Sequence, residues 1–301
     1  MTLRKRLKRG LRYLLIVGLA WAMGRLPLSW ARRVGAFLGS VFFHVASGER
    51  RKALHSLGIA FPNLPGEERY DLAHRAFRHL GVCAFELACF RQMDAEMEKH
   101  VEWPKAARDV LEEALARKKG VLFVTGHVGH WEFLARRIAL AGYPCQAIAR
   151  EMDDERLARL IEKFRASAGL RSIWRGKPGV IRHMLRSLRG GEILGLLIDQ
   201  DTRAQSVFVP FFGKLAATPR AVADLAMRTG ASVVLGFCMR EEGRYVVSME
   251  AVPLPSTTDK EKACLELTTT LTLGIENVIR KHPEQWVWMH SRWKTRPPES
   301  C

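Results

Sequence analysis

The 301-residue sequence is poor in acidic side chains: 31 aspartates and glutamates stand against 48 lysines and arginines, a formal net charge of +17. Such a surface favours polyanions, whether nucleic acid, anionic lipid head groups or an acidic protein. Cysteine is sparse and scattered, at Cys83, Cys89, Cys145, Cys238, Cys264 and Cys301 with no C-x-x-C pair. That spacing argues against a disulfide framework and a thiolate metal site, and fits reduced thiols in a cytosol-facing domain. No G-x-x-x-x-G-K-S/T loop and no dinucleotide fingerprint occurs, so no cofactor is expected. RRM, KH, zinc-finger and homeodomain patterns are missing as well, which leaves the basic charge without a nucleic-acid motif. Internal repeats and low-complexity stretches are also lacking. What remains is a chain that is 48% hydrophobic, enough to bury a real core in one large domain, with or without a small appendage.

The amino terminus lacks an apolar run of full membrane-spanning length. Arg4, Lys5, Arg6, Lys8, Arg9 and Arg12 precede the uncharged stretch from Tyr13 to Gly24, and Arg25 follows it. A spanning helix needs about 20 mostly apolar residues, so crossing would require Arg25 to snorkel. No small-x-small cleavage site follows the run, which disfavours a signal peptide. If the helix crossed with a cytosolic domain behind it, its basic end would lie outside, against the positive-inside tendency. An interfacial helix, with cations at the head groups and Trp21 in the acyl boundary, fits best; a buried core helix is the alternative.

Between residues 31 and 102 apolar side chains recur at spacings of three and four, the helical period, and FPNLPGEE marks a loop with a helix start. From Gly120 short Val-, Ile- and Leu-rich runs alternate with amphipathic stretches. Strands are predicted at 121–125, 146–150, 193–199, 232–240 and 244–252. Helices are predicted at 132–140, 154–167, 180–188 and 219–228, the last capped by Thr218 with Pro219 at its first position, and a closing helix at 260–281. The expected fold is α/β: a largely parallel sheet with flanking helices and one antiparallel hairpin at REEGR, preceded by a helical segment.

The segment VLFVTGHVGHWEFLARRIALAG reads as strand, tight turn and helix, placing His127, His130 and Glu132 at a strand-to-helix junction, where ligands bind in open α/β sheets. On one regular helix His127 and Glu132 would lie roughly 140° apart, so they can meet only if His127 precedes the helix. In that geometry Glu132 would orient the imidazole, which could then deprotonate an alcohol, and the helix end would favour an oxyanion or phosphate. The competing explanations are a packing histidine with a first-turn carboxylate, and a metal site using His127, His130 and Glu132. The spacing H-x-x-H-x-E is not H-E-x-x-H, and no fourth ligand is evident, so no metal is expected.

GHVGHWE, taken with IDQD, VFVPFFGKLAATP and HPEQWVWMHSRWKTRP, resembles the bacterial lipid A late acyltransferases over most of the chain. Those relatives carry an N-terminal hydrophobic anchor, an H-x4-D/E dyad and a C-terminal H-P-E-Q-aromatic-x-W-x-H-x-R-aromatic-K run. One departure is His130, where many relatives have Asn, and it is expected to bear on acceptor contacts.

The resemblance implies transfer of a fatty acyl chain from acyl carrier protein to a hydroxyl of a lipid A precursor at the cytosolic face of the bacterial inner membrane. His127 would be the base and Glu132 its orienting carboxylate. Arg150 would stabilise the oxyanion or hold the acceptor, unless it is a solvated strand-end residue. Asp199 or Asp201 would position Arg150 or the dyad. VFVPFFG would supply an exposed apolar loop for an acyl groove or membrane contact, with core burial of its Phe residues as the alternative. Arg292, Lys294 and Arg296 are candidates for anionic recognition. Residues 1–30 would be the anchor and 31–301 the acyltransferase domain, helical to 118 and α/β from 119. Rival functions are a nucleic-acid-binding protein, a metallohydrolase using His127 and His130, and an acyltransferase acting on another glycolipid such as a mannosylated inositol lipid.

Overall fold

The structure is a computed structural model that describes residues 3–150, 154–176, 178–202 and 204–297. The side chains of Arg4, Lys5, Arg6, Lys8, Arg9 and Arg12 lie outside the described residues, as do Pro298 to Cys301 of the polar tail. The helical half comprises α1 (Leu3–Met23), α2 (Leu28–Val45), α3 (Ser47–Ala60), α4 (Gly66–Ala88), α5 (Phe90–Ala95) and α6 (Met97–His100). Small residues set its geometry. α2 buries Ala31, Gly35, Gly39 and Phe43, four apart and therefore on one stripe, against α4. A Cβ on Gly35 would stand 2.6 Å from the Gly81 carbonyl oxygen, so the two helices meet backbone to backbone.

The rest is β1 (Val101–Glu102), α7 (Lys105–Ala116), β2 (Val121–Thr125), α8 (Trp131–Leu140), β3 (Cys145–Arg150), α9 (Glu155–Ala166), β4 (Arg171–Arg175), α10 (Val180–Arg189), β5 (Ile193–Leu197), β6 (Ser206–Phe211), β7 (Lys214–Pro219), α11 (Ala221–Thr229), β8 (Ser232–Glu241), β9 (Arg244–Val252) and α12 (Lys260–Lys281). Seven strands form one sheet in the order β1-β9-β8-β2-β5-β3-β4, parallel except where β8 and β9 form the expected hairpin. Alternation along the strands feeds two cores. Val121 and Phe123 of β2 join α7 and α8 on one face, while Leu122 and Val124 join α10, α11 and α12 on the other.

Three expectations need correction. β5 stops at Leu197, so Asp199 lies beyond the strand, free to turn toward a neighbouring chain end. Thr218 and Pro219 belong to β7 rather than to a helix start, and α11 opens at Ala221 after Arg220. VFVPFFG is no exposed loop but half of the β6–β7 hairpin, turned by Phe212 and Gly213 at positive φ (52° and 73°), as a tight two-residue hairpin turn requires. Phe211 and Phe212 are buried against Trp286 and Trp288 at ring separations of 5.6 and 6.0 Å. Core burial, not an acyl groove, accounts for these phenylalanines. β4, RSIWR, went unpredicted because its charged ends mask the pattern of an edge strand that pairs only with β3.

Gly35→Ala is expected to force α2 and α4 apart and to destabilise the protein by about 1–3 kcal/mol. A urea-unfolding midpoint unchanged from wild type would show that the helices are not held in glycine contact.

Candidate active site

β2 and β5 are adjacent parallel strands with Thr125 opposite Leu197. Their carboxyl ends therefore emerge side by side, one leading into Gly126-His127 and the other into Ile198-Asp199. This is why two residues 72 positions apart meet. His127 Nδ1 lies 2.8 Å from Asp199 Oδ1, and the His127 backbone N–H donates to Asp199 Oδ2 at 2.7 Å. The indole Nε1–H of Trp286 donates to the same oxygen at 2.8 Å. Asp199 is 2% exposed. Burial alone would raise its carboxyl pKa, but the His127 charge and these hydrogen bonds outweigh burial and hold it at about 2. An ionised Asp199 at Nδ1 leaves Nε2 as the nitrogen free to accept a proton. Nε2 has no hydrogen-bond partner among the described residues, and the half-buried ring stands edge-on to Trp131 at 5.2 Å.

The turn that carries His127 is clamped on both sides. Val128 bridges Trp286, Gly129 N–H donates to the Gln285 carbonyl at 2.9 Å, and Val287 N–H donates to the His127 carbonyl at 3.2 Å. Gly129 has φ +62° and a Cβ there would strike the Cys238 carbonyl, so the position needs glycine twice over. The HPEQW segment is thus a second wall of the site, and Trp286 is a positioning residue for Asp199.

Glu132 is placed elsewhere than expected. His127 does precede α8, but Glu132 in the first turn of that helix forms a two-point ion pair with Arg165 of α9, at 2.5 and 3.1 Å. A guanidinium fork matches a carboxylate better than an imidazole does, and Glu132 is taken. The carboxylate that orients His127 is Asp199. His130 is 2% exposed, and its Nδ1 accepts from Phe133 N–H at 3.3 Å, capping α8. Burial, then the charge of His79, pushes its pKa well below the ordinary value. The enclosed ring, stacked on Phe133 at 3.9 Å, supports the helix start and is closed to solvent.

Arg150 ends β3 exposed at the same carboxyl edge, and Asp199 faces His127 rather than Arg150. Asp201 accepts from Thr295 N–H at 2.6 Å and from its hydroxyl at 3.0 Å, while its own N–H donates to His290 Nε2 at 3.0 Å; it pins the C-terminal motif. Arg292 is not available to an anion. It is fully buried, donates to the Ala217 carbonyl and the Thr218 hydroxyl, and burial lowers its pKa to about 10. Lys294 and Arg296 remain exposed.

Among the described residues His127, His130 and Glu132 do not bring ligand atoms together, and Glu132 is taken by Arg165. A different trio, Cys83, Glu86 and His130, brings ligand atoms within 4.8 Å of one another. Both Glu86 oxygens are already engaged, by Arg32 and by Tyr245, each at 2.6 Å, and the capping bond to Nδ1 leaves the proton on His130 Nε2. His130 Nε2 itself has no hydrogen-bond partner among the described residues, standing 3.9 Å from Glu86, so the trio holds a ring nitrogen that carries its proton and a carboxylate already spent, a poor cage for a cation.

Sequence comparison places this geometry. Residues 2–295 match the profile of the bacterial lipid A biosynthesis acyltransferases. The chain belongs to that family. A lipid A biosynthesis acyltransferase of Haemophilus influenzae is 29% identical over 91% of this chain and 87% of its own length. A lipid A biosynthesis lauroyltransferase of Escherichia coli K12 is 27% identical over 93% and 90%. A phosphatidylinositol mannoside acyltransferase of Mycobacterium tuberculosis is 24% identical over 64% and 60%. Membership in the family makes the protein an O-acyltransferase.

Two outcomes are expected at this site. Asp199→Asn should lower kcat on the order of 10³-fold or more, by releasing the imidazole from its tautomer. Glu132→Gln should act mainly on stability, because it strands the Arg165 charge in a poorly solvated place. Steady-state kinetics and melting curves on both variants test this, and the reverse ranking for kcat would return the orienting role to Glu132. A pH effect follows as well. A carboxyl depressed from 3.8 to about 2 adds stability above its unfolded pKa, and that stability is lost as pH falls from about 4 to 2. The stability difference between wild type and Asp199→Asn should shrink over that window; a constant difference would contradict the assignment.

Proposed function

We propose that the protein transfers a fatty acyl chain from acyl carrier protein to a hydroxyl of a lipid A precursor at the cytosolic surface of the bacterial inner membrane. The observation that carries this is the His127–Asp199 pair at the carboxyl edge of the sheet in a chain of this family. His127 Nε2 accepts the proton of the acceptor hydroxyl as its oxygen attacks the thioester carbonyl, and Asp199 stabilises the imidazolium through Nδ1. The tetrahedral oxyanion then collapses to the ester, the C–S bond breaks, and His127 returns the proton to the departing thiolate. The N–H groups of Trp131 and Glu132 in the first turn of α8, beside the Phe133 N–H spent on His130, and the exposed Arg150 are the candidate oxyanion donors. No nucleotide is needed, because the thioester arrives activated.

An apolar cleft under α8 marks where the acyl chain would enter. Between α8 and the β2–β5–β3 part of the sheet it has room for about 40 Å³, bounded by Thr125 and Trp131 beside His127 and by Ile138, Cys145 and Leu170 further in, and an acyl chain would have to widen it. Apolar lining of this kind takes a hydrocarbon chain. Gly195 lines the cleft, and a Cβ there meets nothing closer than 3.5 Å, so a side chain fits without moving backbone and narrows the cleft. Gly195→Val is expected to shift preference toward shorter acyl donors, read as the ratio of kcat/KM across a donor series. An unchanged ratio would place the acyl chain elsewhere.

Membrane association fits the exposure of Leu14, Ile16, Leu19 and Trp21 on α1. Among the described residues no helix is long and apolar enough to cross a membrane, so an interfacial attachment is the form proposed. Deleting residues 1–24 should lower the membrane-bound fraction, and an unchanged fraction would remove the anchor. A second acceptor class, a mannosylated inositol lipid, is kept open by the mycobacterial relative. The deciding experiment incubates a tetraacylated lipid A precursor with acyl-loaded acyl carrier protein and either wild type or His127→Ala. One added acyl mass with wild type alone is the expected result, whereas none with folded wild type would exclude this acceptor and donor pair.

A further inference from the structure

Four guanidiniums converge where α2, α4 and the end of β8 meet. Arg32 and Arg33 of α2, Arg78 of α4 and Arg240 of β8, with Ser40 and His44, line an open concavity of about 520 Å³ whose lining contains no carboxylate. One buried acid stands behind it: Glu86 accepts from Arg32 Nε at 2.6 Å and lies 4.0 Å from Arg240 Nη1. Arg33 and Arg78 have no ion pair among the described residues. Arg32 Nη2 is shut away from solvent and has no acceptor among them either. A buried guanidinium N–H without an acceptor is costly, and four like charges around one hollow repel each other. Burial first, and then the charges of Arg78 and His44, push the pKa of neighbouring His74 below its ordinary value, against the pull of Asp71. Arginine forks in this arrangement fit a phosphate.

The surroundings select the source of that phosphate. Trp30, Phe37, Val41 and Val45, spaced by seven, four and four residues, lie along the face of α2 opposite its buried stripe. All four are exposed, Phe37 by 63% and Val45 by 71%, and Phe42 beside them by 47%. Large exposed apolar side chains bordering a cationic hollow describe a surface that enters the head-group layer of a bilayer. By contrast, α10 exposes Arg182, Arg186 and Arg189, none of them ion-paired among the described residues, with Ile181 the exposed apolar side chain beside them.

We infer that the α2–α4 hollow binds the phosphate of an acidic membrane phospholipid and seats the apolar face of α2 in the bilayer, as a site separate from the acyl-transfer centre. Arg32 and Arg240 of the hollow approach Glu86 Oε1, whereas His130 Nε2 stands 3.9 Å from the other oxygen, Oε2. The inference needs no turnover and stands whether or not the proposed donor and acceptor are the right ones.

The test is flotation of the full-length protein with vesicles of phosphatidylcholine alone or with added phosphatidylglycerol, at the lipid concentration where wild type is half bound. Arg33→Ala/Arg78→Ala is compared with Arg182→Ala/Arg186→Ala, which removes the same charge from α10, each checked for an unchanged melting curve. Loss of two head-group arginines should weaken binding to the anionic vesicles about 30-fold and leave binding to phosphatidylcholine within about threefold. The α10 pair should lose far less. Equal losses in the two double variants would overturn the site, because only bulk charge would then matter, and so would wild-type binding by Arg33→Ala/Arg78→Ala. Displacement of wild type from the anionic vesicles by inorganic phosphate at constant ionic strength would overturn the lipid assignment in favour of a free anion.

Discussion

A single buried carboxylate organises this molecule. Asp199 accepts from the His127 ring, the His127 backbone and the Trp286 indole. Through them it ties the end of β5 to the turn after β2 and to the C-terminal HPEQW segment. A buried anion is tolerable only when it is fully hydrogen-bonded, so each of these three pieces must be in place for the others to be stable. The same requirement fixes the tautomer of the His127 ring, the proposed base. Stability and chemistry are here consequences of one set of bonds, which is why the segment carrying Trp286 matters although its indole is spent on Asp199.

Around this point the supports are layered. Gly129 lets the turn pass under Cys238, His130 caps α8, and Glu132 locks that helix to α9 through Arg165. On the C-terminal side Asp201 and His290 hold the last motif, and buried Arg292 fastens it to β7. Motif residues that look like ligand contacts in one dimension are largely structural here. The surface that the proposed reaction would use is narrower: the exposed edge of His127, Arg150 at the end of β3, and the apolar cleft under α8.

Much of this was legible in the order of residues. The apolar runs at 121–125 and 244–252 and the closing helix at 260–281 lie where periodicity puts them, because each is long or strongly β-branched. His127 at a strand-to-helix junction was legible for the same reason. Its partner was legible only in part: Asp199 or Asp201 was expected to position Arg150 or the dyad, while the orienting role went to Glu132. Spacing along the chain favoured Glu132, five residues away, whereas strand order decides in favour of Asp199, and nothing in a linear sequence says that β2 and β5 are neighbours. The Phe211–Phe212 pair and Arg292 misled in a related way: a Pro- and Gly-bearing segment and a basic motif look solvent-facing until tertiary packing buries them. RSIWR was missed because an edge strand needs few apolar residues.

The central claim is that Asp199, and not Glu132, holds the Nδ1 proton of His127. Proton–nitrogen NMR on protein labelled with ¹⁵N in its histidine rings reads this directly. A low-field Nδ1–H resonance from His127, identified by its disappearance in His127→Ala, is predicted to persist in Glu132→Gln and to vanish or move far upfield in Asp199→Asn. A resonance that survives in Asp199→Asn and is lost in Glu132→Gln would contradict the account.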